Sequence, residues 1–250
     1  MTSLWLAIQF LTILPVRLRG DIRDTDLASS MRWYPLVGSA LGAISAFSFW
    51  IALRLFSFPV AIVAAVVTLI VVSGALHLDG FADMCDGFYG GHDRERILAI
   101  MKDSRSGAMA IVGVFSLLSL KMSLLASQDE SWILPSLVVA PTIGRWSMVW
   151  LCARSRNARA SGGTASAYIG HVQKRDILIA TIFCVAIAVA LMSWRGLAAF
   201  VIAAAAAEVF RRYVERRLDG MTGDTLGACC ELIEVLTLMS LAIRWMVFTR

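Results

Sequence analysis

Three aspartates in the segment HLDGFADMCDGFYGGHDR, residues 77–94, have the spacing of one face of a helix. At roughly 100° per residue, Asp79, Asp83 and Asp86 fall within about 60° of one another. Carboxylates placed this close repel each other unless a cation or protons intervene, and hard oxygen ligands suit Mg²⁺. The spacing therefore predicts that these three aspartates bind a divalent cation.

Other residues of the same segment refine this interpretation. His77 and Cys85 point to other faces of the helix, which argues against a zinc site built with those softer ligands. Gly80 and Gly87 interrupt the helix, at about 1 kcal/mol each relative to alanine. Glycine at these positions lets either a phosphate-bearing ligand or another backbone approach closely. We expect both glycines to contribute to substrate binding, with helix packing as the alternative.

Cationic residues follow the acidic segment. His92 and Arg94 are candidates for substrate contact, although an exposed or capping role fits His92 equally well. In KDSRSG, Lys102 and Arg105 are three residues apart on a predicted helix. They could hold a phosphate by charge and by a bidentate guanidinium fork. Simple anchoring at the membrane surface is the alternative.

A second acidic group lies in TGDTLGACCELIE, near the end of the chain. Asp224 and Glu231 are seven residues apart and share a helical face, with Glu234 one turn further on. Carboxylates inside an apolar span usually face an interior cavity or a partner. We expect Asp224 and Glu231 to join the metal and substrate site, with pairing of Glu231 to Arg145 as the alternative. Lys121, near the outer end of a span, is expected to extend toward the membrane surface.

The composition is that of a membrane protein. Of 250 residues, 58% are hydrophobic and only 16% are charged, against roughly 25% charged in soluble domains. The mean hydropathy is +0.73. We predict an all-α, polytopic transmembrane helix bundle of about seven spans, forming a single integral-membrane catalytic domain over residues 1–250. The net charge of +5 lies in loops between apolar segments, so nucleic acid is not an expected partner.

The apolar segments set the predicted topology. Residues 4–14 are too short to span and predict an interfacial or re-entrant helix, and Gly38 and Gly42 permit close helix packing in the first span. The sixth span follows a tight connection at residues 194–196 and ends near residue 210. The other predicted spans are residues 34–53, 58–78, 107–126, 132–153, 177–193 and 225–248.

The loops of this topology differ in charge between the two sides of the membrane. The loops at 17–33, 79–105, 154–176 and 211–224 fall on one side and are rich in Arg or Lys. The loops on the opposite side are short and carry two arginines between them, Arg54 and Arg195. By the positive-inside rule the charged side is cytoplasmic. The site is therefore predicted at the cytoplasmic face of a multi-pass protein in the cytoplasmic membrane.

Carboxylate clusters with nearby cations suit metal-assisted phosphoryl transfer. A divalent ion neutralises an anionic pyrophosphate substrate, and Lys or Arg stabilises charge on the departing phosphate. The sequence has no P-loop and no G-x-S-x-G motif, which disfavours nucleotide hydrolysis by those routes.

The chain resembles the cobalamin synthase family, the adenosylcobinamide-GDP ribazoletransferases. FLTILPV and WYPLVGSALG are similar to the opening of the family. HLDGFADMCDGFYGGHDRERILAIMKDSRSG resembles its central signature, and GMTGDTLGACCELIEV its closing motif.

The resemblance implies a membrane enzyme that joins adenosylcobinamide-GDP to α-ribazole or its 5′-phosphate and releases GMP, with Mg²⁺ as cofactor. It also implies functional roles, catalytic or metal-binding, for Asp79, Asp83, Asp86, Lys102, Asp103, Arg105, Asp224 and Glu231. Whether Asp103 or Asp86 accepts the hydroxyl proton is left open.

Two other classes of protein are weighed against this one. CDP-alcohol phosphotransferases also place aspartates on membrane helices, but DGFAD lacks the Ala-Arg that follows their Asp-Gly pair. A cation transporter would place acids near the bilayer midplane, whereas these acids gather at one interface. Small-molecule substrates and the lipid bilayer are the expected partners, and a homo-oligomer is left open.

Overall fold

Helices form the framework of the molecule. The computed structural model describes residues 2–16, 22–159 and 165–243. Within these ranges, the β-type backbone pairing consists of an isolated bridge between Asn157 and Met221. A short 3₁₀ helix, Met31–Trp33, precedes the third α-helix. The α-helices in chain order are α1 (Thr2–Leu11), α2 (Asp24–Ser30), α3 (Tyr34–Leu55), α4 (Phe58–Val72), α5 (Leu76–Gly90), α6 (Arg94–Ile100), α7 (Ala108–Ala126), α8 (Glu130–Arg154), α9 (Lys174–Leu218) and α10 (Gly223–Ala242).

Five of these helical units are long and apolar enough to cross a membrane. They are the continuous run Asp24–Leu55 that ends in α3, and the helices α7, α8, α9 and α10. The pair α4 and α5 passes the same test as a sixth, bent unit. The multi-pass helical architecture predicted from hydropathy is confirmed.

The longest helix, α9, folds back on itself. Its 45 residues would be about 67 Å long if straight, but Ser193 has φ 51° and ψ −133°, outside the helical region. Trp146 contacts both halves: its Nε1 donates to Thr181 Oγ1 at 2.9 Å, and its ring packs on Phe200 with centroids 4.6 Å apart. Because Thr181 and Phe200 would be roughly 28 Å apart in a straight helix, α9 is a hairpin of two spans. With its two halves counted, the total of about seven spans agrees with the prediction.

Two helices form the centre of the bundle. In the apolar windows of α8 and α10, 83% and 78% of the residues are buried, against 22% in α7 and in α9. The outer helices expose large apolar side chains such as Phe47, Phe115 and Val209. These exposed faces are the surface that contacts lipid, so α8 and α10 are the framework on which the site is positioned.

Glycines in α3 allow it to pack closely on α8. A Cβ built on Gly38 would lie 2.5 Å from the carbonyl oxygen of Pro141, and one on Gly42 would lie 2.5 Å from that of Leu137. The predicted role of these small residues in helix packing is confirmed.

A Gly42→Val variant is expected to lower the free energy of unfolding by about 1–3 kcal/mol, because the new side chain meets the α8 backbone, which cannot move aside cheaply. Thermal unfolding of the purified protein in lipid nanodiscs measures the change. Ala43→Val is the matched control, since Ala43 is exposed. Equal melting temperatures for the two variants would contradict the close packing of α3 on α8.

The second predicted span, residues 58–78, is wrong in its last part. Helix α4 ends at Val72, and the chain turns by 90° before α5 begins at Leu76. Gly74 and Ala75 have φ values of 63° and 55°, in the left-handed region that ends helices. Helix α5 is therefore a separate helix, bent by 90° from α4.

The charged segment 211–224 was predicted to be a loop, but most of it is helical. Helix α9 continues to Leu218, and Arg211 pairs with Glu208 at 2.8 Å and with Glu215 at 2.5 Å. These pairs have i,i+3 and i,i+4 spacing, which stabilises a helix surface. The last predicted span is confirmed as α10 as far as Ala242, and its residues 244–248 lie outside the described ranges.

The charged segments share one end of the bundle, as predicted. Arg94 Nε donates to the carbonyl oxygen of Leu218 at 2.9 Å, which joins the start of α6 to the end of α9. Arg32 pairs with Asp176 at 3.0 Å, which joins the start of α3 to that of α9. The acidic helix α5 lies at this charged end.

Candidate functional site

The crossing of α5 and α10 builds the site. A Cβ on Gly80 would lie 2.8 Å from the Cα and carbonyl oxygen of Asp224, and one on Gly227 would lie 3.1 Å from the Cα of His77. Glycine on each helix thus faces the backbone of the other. Of the two roles considered for Gly80, the structure shows backbone approach, and its contact with substrate stays a prediction.

This crossing brings aspartates from two helices together. Asp79 is exposed and Asp83 is half-buried. Burial, followed by the nearby carboxylates of Asp79, Asp224 and Asp86, raises the pKa of Asp83 to about 6. Each of these neighbours disfavours a negative charge on Asp83. A bound cation relieves that repulsion, so the chemistry of the donor set fits a divalent metal.

Arg159 is a member of the site that the sequence did not indicate. Its Nη2 lies 3.0 Å from Asp224 Oδ2. The chain before it is held by hydrogen bonds from Ala158 N to the Met221 oxygen and from Met221 N to the Arg156 oxygen, each 2.8 Å. Arg159 therefore offsets part of the negative charge on the α10 side of the site.

Asp86 has a second role that the helical spacing did not reveal. Its carboxylate accepts from the backbone N–H groups of Gly107 and Ala110, at 2.5 and 2.8 Å. These amides begin α7, where the helix dipole also favours a negative charge. Asp86 caps α7 from a neighbouring helix.

Whether Asp79, Asp83 and Asp86 bind a divalent cation together stays a prediction. Within residues 2–16, 22–159 and 165–243, no three His, Cys, Asp or Glu side chains converge closely enough to hold a metal ion. Mg²⁺ commonly takes only one or two carboxylates, together with waters and substrate phosphates. Asp79, Asp83 and Asp224 fit such an open site.

A groove of about 520 Å³ lies beside Asp86, between the end of α5 and the start of α7. Arg96 and Arg105 line it together with Asp103. Arg105 donates to Asp103 through Nη2 at 2.6 Å and Nε at 3.1 Å, and these bonds lower the pKa of Asp103 to about 2. The groove thus offers cations at the edge of the acidic cluster, where phosphate oxygens would be bound.

The predicted helical spacing of Lys102 and Arg105 is wrong. Helix α6 ends at Ile100, and both residues lie in the non-helical segment between it and the start of α7 at Ala108. Lys102 is exposed, and its contact with phosphate stays a prediction. Arg96, one turn before the end of α6, was not predicted.

Three other predicted substrate contacts lie at the rim of this region. Arg94 donates to the carbonyl oxygens of Leu218 and Ala158, at 2.9 and 2.5 Å, so its guanidinium is engaged by the protein backbone. Gly87 packs against Met101, and His92 is exposed. Arg94 and Gly87 therefore serve the packing of α5 and α6, and a role in substrate binding stays a prediction for all three.

A separate buried network contains Glu231. Lys121 Nζ lies 2.5 Å from Glu231 and 2.6 Å from Glu234, and Glu234 also pairs with Arg145. All four side chains are buried. They lie roughly 12 to 20 Å inside the charged ends of their helices. We name these four residues the intramembrane ion network.

The intramembrane ion network corrects two interpretations. Lys121 does not extend toward the membrane surface, because it is only 5% exposed and binds two carboxylates. Glu231 pairs with Lys121 rather than with Arg145. It lies two turns, roughly 10 Å, deeper on α10 than Asp224. The structure does not bring Glu231 into contact with the aspartates, and its role as a metal or substrate ligand stays a prediction.

These features define a class: a helical, multi-pass membrane protein with a carboxylate cluster and a cationic groove at one end of its bundle. The model of the Cobalamin-5-phosphate synthase (CobS) family matches residues 3–242. The chain belongs to this family.

Curated relatives cover nearly the whole chain. The protein named adenosylcobinamide-GDP ribazoletransferase from Pseudomonas savastanoi pv. phaseolicola is 40% identical to this chain. The match covers 97% of this chain and 100% of the relative. The protein of that name from Geotalea daltonii is 37% identical over 95% of each chain. The one from Clostridium novyi is 30% identical over 96% of each chain. No solved structure matches this chain.

Proposed function

We propose that this protein is an adenosylcobinamide-GDP ribazoletransferase, which joins adenosylcobinamide-GDP to α-ribazole or its 5′-phosphate and releases GMP. Membership in the family and the names of the relatives support this activity. The structural observation that carries it is the cluster of Asp79, Asp83 and Asp224, which Asp86 connects to the cationic groove. Such a site suits a substrate that contains a pyrophosphate.

The reaction exchanges a phosphoanhydride bond for a phosphate ester bond. A ribazole hydroxyl oxygen forms a bond to the β-phosphorus, and the bond from that phosphorus to the bridging oxygen breaks, so that GMP leaves with the electron pair. Arg96 and Arg105 in the groove would bind oxygens of the departing phosphate. Magnesium, held by one or two of the carboxylates of Asp79, Asp83 and Asp224, would neutralise charge on the pyrophosphate.

The structure bears on which carboxylate takes the hydroxyl proton. Asp103 binds Arg105, which holds its pKa at about 2, and both oxygens of Asp86 already accept backbone hydrogen bonds. A general base is most effective when its pKa lies near the operating pH. These facts disfavour both residues, and we assign proton acceptance to the cluster of Asp79, Asp83 and Asp224.

We further propose that the charged end of the bundle faces the cytoplasm, with the protein in the cytoplasmic membrane. The four Arg- and Lys-rich segments of this end support the orientation.

Turnover by the purified, detergent-solubilised protein tests the proposed function. Adenosylcobinamide-GDP and α-ribazole phosphate are supplied with and without Mg²⁺, and GMP and the corrinoid product are followed. We expect product formation that depends on Mg²⁺. Folded protein that forms no corrinoid product but releases CMP from a CDP-alcohol would contradict the assignment in favour of the CDP-alcohol phosphotransferases.

A further inference from the structure

His77 is a buried side chain that the proposed chemistry leaves without a role. It is 2% exposed, and neither ring nitrogen has a hydrogen-bond partner among the described residues. A buried polar group without a partner destabilises a fold by about 1–3 kcal/mol. An imidazole kept in such a place is best explained by a partner that arrives with a ligand.

His77 is among the residues that line a cavity of about 90 Å³ at the end of the bundle. This volume is well above the 10–15 Å³ or so that one water molecule needs. Rings of Phe10, Tyr34 and Tyr168 form part of its wall, with Phe10 centred 6.1 Å from Tyr34 and 5.2 Å from Tyr168. Met31 also lines it, and methionine adapts readily to the shape of a ligand. The cavity therefore suits a flat aromatic group.

One edge of the cavity reaches the acidic cluster. Asp79 and Asp224 line this edge, whereas His77 and the aromatic rings form the other walls. A ligand with an aromatic base in the cavity and a sugar at its edge would place its hydroxyl groups beside the aspartates. That is the arrangement that a nucleoside needs if its sugar hydroxyl is to attack phosphorus.

The balance of polar and apolar groups distinguishes between the two bases in the reaction. Guanine carries several donors and acceptors around its edge, and each needs a partner when buried. The dimethylbenzimidazole of α-ribazole has one unsubstituted ring nitrogen and two methyl groups. The imidazole of a histidine has at least one ring N–H that can donate a hydrogen bond. The buried groups without partners that line this cavity are, among the described residues, the His77 ring nitrogens and the Tyr34 hydroxyl. Within aromatic walls they suffice for the single acceptor of dimethylbenzimidazole, whereas they leave several of the polar groups of guanine unmatched.

We propose that this cavity binds the base of α-ribazole, and that a ring N–H of His77 donates to its free ring nitrogen. The assignment rests on the proposed function, since it concerns the second substrate of that reaction. His77 is then a determinant of acceptor specificity.

A His77→Leu variant tests the assignment, with His171→Leu as the matched control because His171 is exposed. Two readouts are used: KM for each substrate, and binding of α-ribazole to the purified protein by calorimetry. Loss of one buried hydrogen bond predicts about a tenfold rise in KM and in Kd for α-ribazole. KM for adenosylcobinamide-GDP should stay within about twofold, because His77 does not contact it.

The stability of the variant separates a ligand contact from a structural role. Without substrate, His77→Leu should unfold at the same or a higher temperature than the wild type, because it removes a polar group that lacks a partner. Tyr168→Leu is the second variant, since loss of ring packing should also weaken α-ribazole binding if His77→Leu does not fold.

Each result has one meaning for this proposal. Unchanged affinity for α-ribazole in both variants overturns the proposal. Weaker binding of GMP with unchanged affinity for α-ribazole also overturns it, because the cavity would then bind guanine. If the wild type binds α-ribazole through His77 but forms no product, the cavity assignment stands and the proposed function fails.

Discussion

An Asp83→Asn variant is expected to lose at least about 100-fold in kcat, the range seen when a group that positions a metal or stabilises charge is removed. Asp83 is the carboxylate with the most acidic neighbours, since Asp79, Asp224 and Asp86 all oppose its ionisation. We therefore expect it to be the residue that gains most from a bound cation. GMP release at saturating substrate measures the effect.

A second readout distinguishes loss of the cation from loss of the fold. Mg²⁺ should raise the melting temperature of the wild type by linkage, and this rise should vanish in Asp83→Asn. Without Mg²⁺ the variant should be at least as stable as the wild type, because a repelled charge is gone. Asp129→Asn is the control, as Asp129 is exposed and begins α8 at the opposite end of the bundle. Full activity of Asp83→Asn at every Mg²⁺ concentration would remove Asp83 from the metal site.

A Lys121→Met variant is expected to lower the free energy of unfolding by about 3–5 kcal/mol, as is usual when one partner of a buried ion pair is removed. Lys121 lies within 2.6 Å of both Glu231 and Glu234. Without it, Arg145 alone balances two buried carboxylates. Unfolding in nanodiscs and the yield of folded protein after detergent extraction measure the loss.

Removal of a charge of the opposite sign should restore part of this stability. In Lys121→Met with Glu231→Gln, the remaining Arg145 and Glu234 form a neutral pair, so the double variant should be more stable than Lys121→Met alone. Leu120→Met, on the exposed neighbour of Lys121, controls for the new side chain. If Lys121→Met has the same melting temperature as the wild type, the intramembrane ion network does not stabilise the bundle.

The positions of the spans were predictable where charged residues flank a long apolar run, as in α7 and α8. The turn between α4 and α5 was not, because Gly74 and Ala75 sit within an apolar stretch and their left-handed conformation leaves no trace in hydropathy. The helical end of α9 could have been found from its sequence. Glu208, Arg211 and Glu215 have the spacing of helical ion pairs, although their charge suggested a loop.

The site was predictable in its residue types and only partly in its partners. Helical spacing correctly indicated that Asp79 and Asp83 belong to one face, but it cannot show that Asp86 meets the start of another helix. The intramembrane ion network left a clearer signal. Lys121 and Arg145 lie in apolar segments, as do Glu231 and Glu234. Because charged residues inside membrane spans usually pair with residues of opposite charge, two cations and two anions in such segments indicate ion pairs.

The 90° turn after Val72 also affects the lipid around the protein. It limits α4 to 15 residues, which rise roughly 22 Å, against about 30 Å for the hydrocarbon core of a bilayer. The 22 residues of α3 meet that thickness at about 33 Å, so the mismatch is confined to one flank. Lipid tails beside α4 must shorten or splay to match it. We therefore expect a locally thinner bilayer on the flank where the chain turns into its acidic helix.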